Sequence, residues 1–263
     1  MIDIHHHLLW GLDDGASSIE ISVEMARMAA DDGITHVVCT PHANGHYEYR
    51  PEAIDDRLVE LRQRLEAEGI RLTLGRGCDF HMSYENIQTA LENPTRFSIN
   101  GLGYLLVEIP DYGIPAGLTE VFYQMRITGL TPILTHPERN RTLQADREML
   151  LDWMRGGILV QVTAGSVTGR MGRSAEKMAH ELLENRWVHF LATDAHNITS
   201  RPPKMREAMD AVAEKYGKEY ADLLCTANPM AAFQGAPMPQ QMESLNLYPE
   251  LEEKNWWQRM LGR

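Results

Sequence analysis

Seven short apolar, β-branched runs punctuate this chain: MIDIH, HVVCT, RLTLG, YLLVEI, PILTH, ILVQVT and VHFLAT. Most are separated by longer stretches patterned at helical spacing, and this alternation restricts the fold more than any other feature. Strands that alternate with helices pair in parallel through right-handed crossovers. Seven such units in an α/β protein suit either a barrel or an open doubly wound sheet, and the barrel is the expectation carried forward. The first intervening stretch has a helix start at Ser17, with Glu20 three residues on, and a stop at Gly33. Gly69, Gly129 and Gly156 mark similar stops. No linker interrupts residues 1–235, which read as one domain; 236–263 read as a tail or an appended helix. Its Trp256 and Trp257 are expected to pack on the barrel or to make a subunit contact.

Polar residues stand where these runs end. In chain order they are His5 and His7, then His42 of TPH, Asp79 of GCDF, Glu108 of LVEIP, His136 of THPER, and Asp194 and His196 of TDAH, with Asp14 in the loop after the first run. In barrels and open α/β sheets the C-terminal strand ends converge on the active site, so all nine would face one cavity. Along the first strand, Ile2 and Ile4 alternate with Asp3 as on a half-buried strand, and no linker flanks the histidine triplet, so a purification tag is a poor explanation. Strand alternation projects His5 and His7 together and turns His6 the other way, the geometry of H-x-H metal ligation.

A lone His or Asp at a strand end is more often a capping or solvated group, but nine in successive units form a pattern. Imidazoles and carboxylates without thiolates suit Mn, Fe or Zn bound for chemistry more than a closed structural zinc site. Nine donors exceed the needs of one ion and suffice for two or three, which implies a multinuclear site. Clustered metals hold a bridging hydroxide at neutral pH and clamp a phosphate oxygen during in-line displacement, so phosphoester hydrolysis follows. Arg139, three residues after His136, and Arg201, five after His196, lie in loops where guanidinium forks can grip phosphate. Either alone reads equally well as a surface salt-bridge residue.

The chain carries 25 basic against 37 acidic residues, a formal charge of -12. That balance argues against nucleic acid or an anionic membrane as the main partner, though not against an anionic substrate facing local positive charge. Cys39, Cys78 and Cys225 show no C-x-x-C spacing, so neither a disulfide framework nor a zinc ribbon is indicated and a reducing compartment is expected. A thiol-dependent tyrosine phosphatase needs C-x5-R, and the positions six residues on hold Gly45, Tyr84 and Ala231. No apolar run approaches the ~20 residues of a membrane span, and no signal-peptide pattern opens the chain, so the expected location is cytoplasmic.

Taken together, MIDIHHH…DDG, TPH, VEIP, HPER and TDAHN…RPP resemble the polymerase and histidinol phosphatase (PHP) superfamily. The closest resemblance is to the manganese-dependent protein-tyrosine phosphatases of capsule and exopolysaccharide biosynthesis, the CpsB/YwqE-like group, over about residues 1–235. The resemblance implies a distorted (β/α)7 barrel and three divalent metal ions, Mn with Fe or Zn as alternatives. It implies a phosphotyrosine protein as substrate, namely the tail of a bacterial tyrosine kinase controlling polysaccharide synthesis. Carried onto this sequence, the metal ligands would be His5, His7, Asp14, His42, Asp79, Glu108, His136, Asp194 and His196, with Arg139 and Arg201 on the phosphate. The chain departs from the group's usual Glu at Asp79 and usual Ser at His6, which is expected to pack or hydrogen-bond beneath the site. A PHP phosphatase acting on a small metabolite such as histidinol phosphate is the alternative, and a regulatory module whose metals only hold the fold is a third reading. Homo-oligomerisation stays open.

Overall fold

All strand pairing in the computed structural model is parallel. It describes residues 1–110 and 113–248, so the expectation for Trp256 and Trp257 lies outside the described residues. A three-stranded sheet has the order β1 (Ile2–His6), β2 (His36–Cys39), β4 (Thr73–Arg76). A six-stranded sheet has the order β3 (His42–Ala43), β5 (Asp79–His81), β6 (Tyr104–Glu108), β7 (Thr131–Thr135), β8 (Leu159–Thr163), β9 (Phe190–Ala192). The seven predicted runs are present, and two short strands add to them. β3 resumes just after β2, and β5 just after β4. Pro41, which has no N–H to give the ladder, lies in the first break, while its carbonyl still accepts from Asp79 N at 3.1 Å. A single parallel bridge, His6 to Ala195, brings the chain beyond β9 beside β1, with His7 N donating to Ala195 O and Asp194 N to His5 O, both at 2.9 Å.

Helices fill the intervals: α1 (Ile19–Asp31), α2 (Pro51–Ala67), α3 (Tyr84–Glu92), α4 (Leu118–Ile127), α5 (Arg141–Ala145), α6 (Arg147–Arg155), α7 (Ala164–Val167) and α8 (Arg173–Glu184). After β9 come α9 (Arg206–Tyr216), α10 (Lys218–Asp222) and α11 (Asn228–Gln234). The N-cap of α1 is Ser18, not Ser17: Ser18 is the extended residue whose hydroxyl accepts from Ile21 N. Gly33, at φ +91, ends the turn after α1 as expected. Residues 236–248 contain no helix; they run past the ends of α6 and α8, where Trp187 Nε1 donates to Leu245 O at 2.8 Å and Arg155 Nε to Leu247 O at 2.9 Å.

Strand alternation sorts the core into two layers. Ile2, Ile4, Val38, Leu106, Ile133 and Phe190 pack with one another on one face of the strands. Val37, Leu105, Val107, Leu134, Val160 and Leu191 belong to the layer shared with helix residues such as Met25, Leu61, Leu150 and Leu182. β1 is therefore buried on both faces, not half-buried as its alternation suggests, because helices cover one side of a parallel sheet and the second apolar layer fills the other. No helix among the described residues is long and apolar enough to cross a membrane.

Asp3 ties β1 to the end of β9. Fully buried, its carboxylate accepts from Thr193 N at 3.0 Å, from the Thr193 hydroxyl and from His5 N at 3.3 Å. Asp3→Ala strands these donors away from water and should lower unfolding free energy by about 2–4 kcal/mol. Urea titration of wild type and variant measures this; equal stability would show the tie to be dispensable.

Candidate metal centre

The nine residues marked by the sequence meet at one end of the sheets: at or just beyond the ends of β1, β6, β7 and β9, at the starts of β3 and β5 where these resume after β2 and β4, and in the loop after β1. Their donor atoms fall into four groups, each with all its atoms within 4.8 Å of one another: His7, Asp14, His42 and His196; His5, Asp79 and His136; His5, His7 and Asp194; His42, Asp79 and Glu108. His5, His7, His42 and Asp79 each belong to two groups, so the four merge into one constellation.

Its deepest part comes from β1. The pairing of β1 with β2 shifts register between Asp3 and His6, so simple alternation is interrupted. His5 and His7 still converge, with their Nε2 atoms 3.4 Å apart. His6 is buried and neither of its ring nitrogens has a hydrogen-bond partner, so of the two roles expected for it the packing one holds. His5 Nδ1 meets Gln161 Oε1 at 2.9 Å and His7 Nδ1 meets Asp13 Oδ2 at 2.6 Å. With Nδ1–H donating outward, each ring keeps its Nε2 lone pair for the site.

Asp13 and Gln161 are functional positions that the sequence reading passed over. Asp13 Oδ2 also accepts from His42 N at 3.1 Å, so one carboxylate fixes two imidazole-bearing residues. The DDG turn brings it there. A Cβ on Gly15 would fall 2.3 Å from His7 O, so only glycine lets the loop lie this close to β1. Asp14 beside it is half exposed, with Oδ1 3.3 Å from His42 Nε2 and 3.5 Å from His196 Nε2. Gln161 had a readable signal, a lone amide inside the apolar run ILVQVT. Glu138 was also missed; buried in the PER turn, its Oε1 accepts from Thr163 N and the Ser166 hydroxyl, pinning this turn to the end of β8.

Two of the nine have left-handed backbone, His136 at φ 34 and Asp194 at φ 52, unfavourable for residues with a Cβ. Each is held by a strand-end hydrogen bond, His136 N to Gln161 O at 2.8 Å and Asp194 N to His5 O. Asp194 is the junction of the site. Its Oδ1 lies 3.3 Å from His5 Nε2 and 3.4 Å from His7 Nε2, while Oδ2 accepts from both Arg139 and Arg201. The two arginines thus reach the centre from their loops, paired with a carboxylate of the constellation.

Burial disfavours every charge here, yet the carboxylates Asp79 and Asp194 are held well below the usual range by the facing imidazoles, and for Asp194 by Arg201 as well. His5 is raised to about 9 because Asp194 and Asp79 overcome its burial; His42 is raised to about 11, chiefly by Asp14 and Asp79. Burial and the neighbouring Asp79 push Glu108 up to about 8. His196 falls to about 3 through burial and His7. The centre therefore favours positive charge among its carboxylates. Its donor atoms fit metal ions in that role: both oxygens of Asp79, His42 Nδ1 and His196 Nε2 are buried without a hydrogen-bond partner, although His42 Nδ1 and Asp79 Oδ2 are only 3.0 Å apart. Lone pairs crowded together but not aimed at one another's protons suit a shared cation.

Comparison with known proteins gives a consistent picture. The capsular polysaccharide synthesis family CpsB/CapC matches residues 1–234. The tyrosine-protein phosphatase YwqE of Bacillus subtilis (strain 168) is 34% identical over 225 residues, 85% of this chain and 88% of that protein. The putative tyrosine-protein phosphatase CapC of Staphylococcus aureus is 33% identical over 208 residues, 79% and 81% of the two chains. A crystal structure from work describing YwqE of Bacillus subtilis and CpsB of Streptococcus pneumoniae as unique metal-dependent tyrosine phosphatases superposes with a TM-score of 0.85 at 32% identity, over 92% of this chain and 100% of that one.

Because Asp13 orients the His7 imidazole and holds the backbone of His42 without belonging to any donor group, Asp13→Asn should weaken divalent-metal affinity by about 10- to 100-fold and leave the fold intact. Isothermal titration with Mn, beside circular dichroism, reads both; wild-type affinity in the variant would remove Asp13 from the site.

Proposed function

The chain belongs to the CpsB/CapC family of capsular polysaccharide synthesis, and from that membership we propose that it is a metal-dependent protein-tyrosine phosphatase. The site residues are the nine donors His5, His7, Asp14, His42, Asp79, Glu108, His136, Asp194 and His196, with Arg139 and Arg201 on the phosphate. Three divalent ions, Mn first among Mn, Fe and Zn, occupy the centre, and the two sheets with the His6–Ala195 bridge make a distorted (β/α)7 barrel around it. The substrate is a phosphotyrosine protein, a bacterial tyrosine kinase acting in capsule or exopolysaccharide synthesis in the cytoplasm. The names of the relatives favour phosphotyrosine over histidinol phosphate.

The observation that carries the reading is the meeting of both arginines with the donor constellation at Asp194. Bound divalent ions would supply Lewis acidity toward phosphate and an activated water at neutral pH. The chain's own residues do the rest. His5, His7, Asp79 and Asp194 form a buried floor, whereas Asp14, Glu108, Arg139 and Arg201 have side chains 52%, 23%, 30% and 26% exposed and make an accessible rim. A phosphoryl group on a protein surface can therefore reach the centre without the whole substrate being enclosed. Asp194 keeps one N–H group of each guanidinium engaged through Oδ2, which holds the planar groups in place and leaves their other donors for non-bridging phosphate oxygens. As charge gathers on those oxygens during in-line displacement, the preset donors stabilise it without reorganising.

The manganese-loaded protein should hydrolyse a phosphotyrosine peptide in preference to histidinol phosphate. Arg139→Ala and Arg201→Ala should each raise the barrier in kcat/KM by about 2–4 kcal/mol, with Lys rescuing only partly and metal content near normal. Wild-type kcat/KM in both Ala variants would leave phosphate recognition to the metals alone, and a preference for histidinol phosphate would overturn the substrate assignment.

A further inference from the structure

A cavity of about 480 Å³ is lined by Arg139, Arg141, Gln144, Met171, Arg173 and Ser174, among others. Arg139 also lines a smaller cleft with Glu108 and His136, so one residue borders both the cluster and this second cavity. Three of its eight lining residues are arginines, in a chain whose formal charge is -12. Neighbouring cations on this side are neutralised: Arg147 pairs with Glu181 at 3.0 Å and Arg170 with Glu207 at 2.6 Å. Arg141 and Arg173 are exposed, and neither makes an ion pair among the described residues. Two uncompensated guanidiniums facing one cavity raise the local potential against the acidic background, and their planar forks match carboxylate and phosphate oxygens.

We propose that this cavity is a substrate subsite that takes an anionic side chain, a carboxylate or a second phosphate, a few residues from the phosphotyrosine under hydrolysis. The inference rests on the phosphotyrosine reading and refines it. Arg139 would grip the reacting phosphate on one side while Arg141 and Arg173 hold the neighbouring anion on the other, so the enzyme selects acidic or multiply phosphorylated stretches of chain. The chain's net negative charge makes such a positive patch selective against the acidic background. Neither Arg141 nor Arg173 belongs to the metal centre, so their removal leaves the chemistry untouched.

The test compares kcat/KM of the manganese-loaded full chain on three peptides and p-nitrophenyl phosphate. The peptides share one phosphotyrosine, flanked within four positions on each side by glutamate, by a second phosphotyrosine or by neutral glutamine. Wild type should favour the anionic peptides over the neutral one by about tenfold, an advantage that shrinks at high salt. Arg141→Ala with Arg173→Ala should erase the advantage without changing turnover of p-nitrophenyl phosphate, and Arg141→Glu with Arg173→Glu should invert it. A gain with both anions assigns the cavity to either group; a gain with phosphate alone assigns it to a second phosphotyrosine. Equal kcat/KM on all three peptides, or a preference that survives both double variants, overturns the subsite while leaving the phosphatase reading standing. Failure of wild type to hydrolyse any phosphotyrosine peptide overturns the phosphatase reading and the subsite with it.

Discussion

Four carboxylates and five imidazoles crowd into a few ångströms at the strand ends, and burial makes their mutual repulsion and desolvation expensive. Everything else about the site can be read as a response to that constraint. Outward-facing Nδ1 partners, Asp13 on His7 and Gln161 on His5, turn lone pairs inward. Two arginines meet Asp194 from the solvent side, and two strand-end residues accept left-handed backbone to bring their side chains into the cluster. Neighbouring groups raise His5 and His42 and lower Asp79 and Asp194, so the cluster favours positive charge beside its carboxylates.

The fold supplies rigidity where this constraint is most severe. Asp194 is tied to β1 through its backbone, and Asp3 clamps Thr193 beside it. The tip of β1, the DDG turn and the chain after β9 are thereby locked together, and they carry His5, His7, Asp14, Asp194 and His196. The more exposed rim, formed by Asp14, Glu108 and the arginines, faces solvent, so the cluster has a buried floor and an accessible edge. Such a division suits a phosphoryl group presented on a protein surface.

Much of this was legible in the sequence because parallel strands are buried runs whose C-terminal ends face one way: the seven runs are strands, and the nine residues singled out at or beyond their ends come together. The less legible parts depended on interruptions and on tertiary partners. Pro41 breaks a ladder and creates β3, which periodicity does not reveal. The cap of α1 fell on Ser18 because two adjacent serines offer the same chemistry and only backbone geometry chooses. Asp13 and Asp14 are neighbours of one residue type; which of them turns inward is set by the close approach of Gly15 to His7. That Arg139 and Arg201 share one carboxylate was invisible, since Asp194 lies 55 residues from the first and 7 from the second.

The central claim is that this buried constellation is a multinuclear metal centre. Anomalous diffraction at the manganese edge, from crystals of the manganese-loaded protein, tests it directly. The account predicts three peaks inside the constellation, each within about 2.0–2.6 Å of donor atoms from the four groups. No peak there, or peaks coordinated by residues outside the nine, would contradict it.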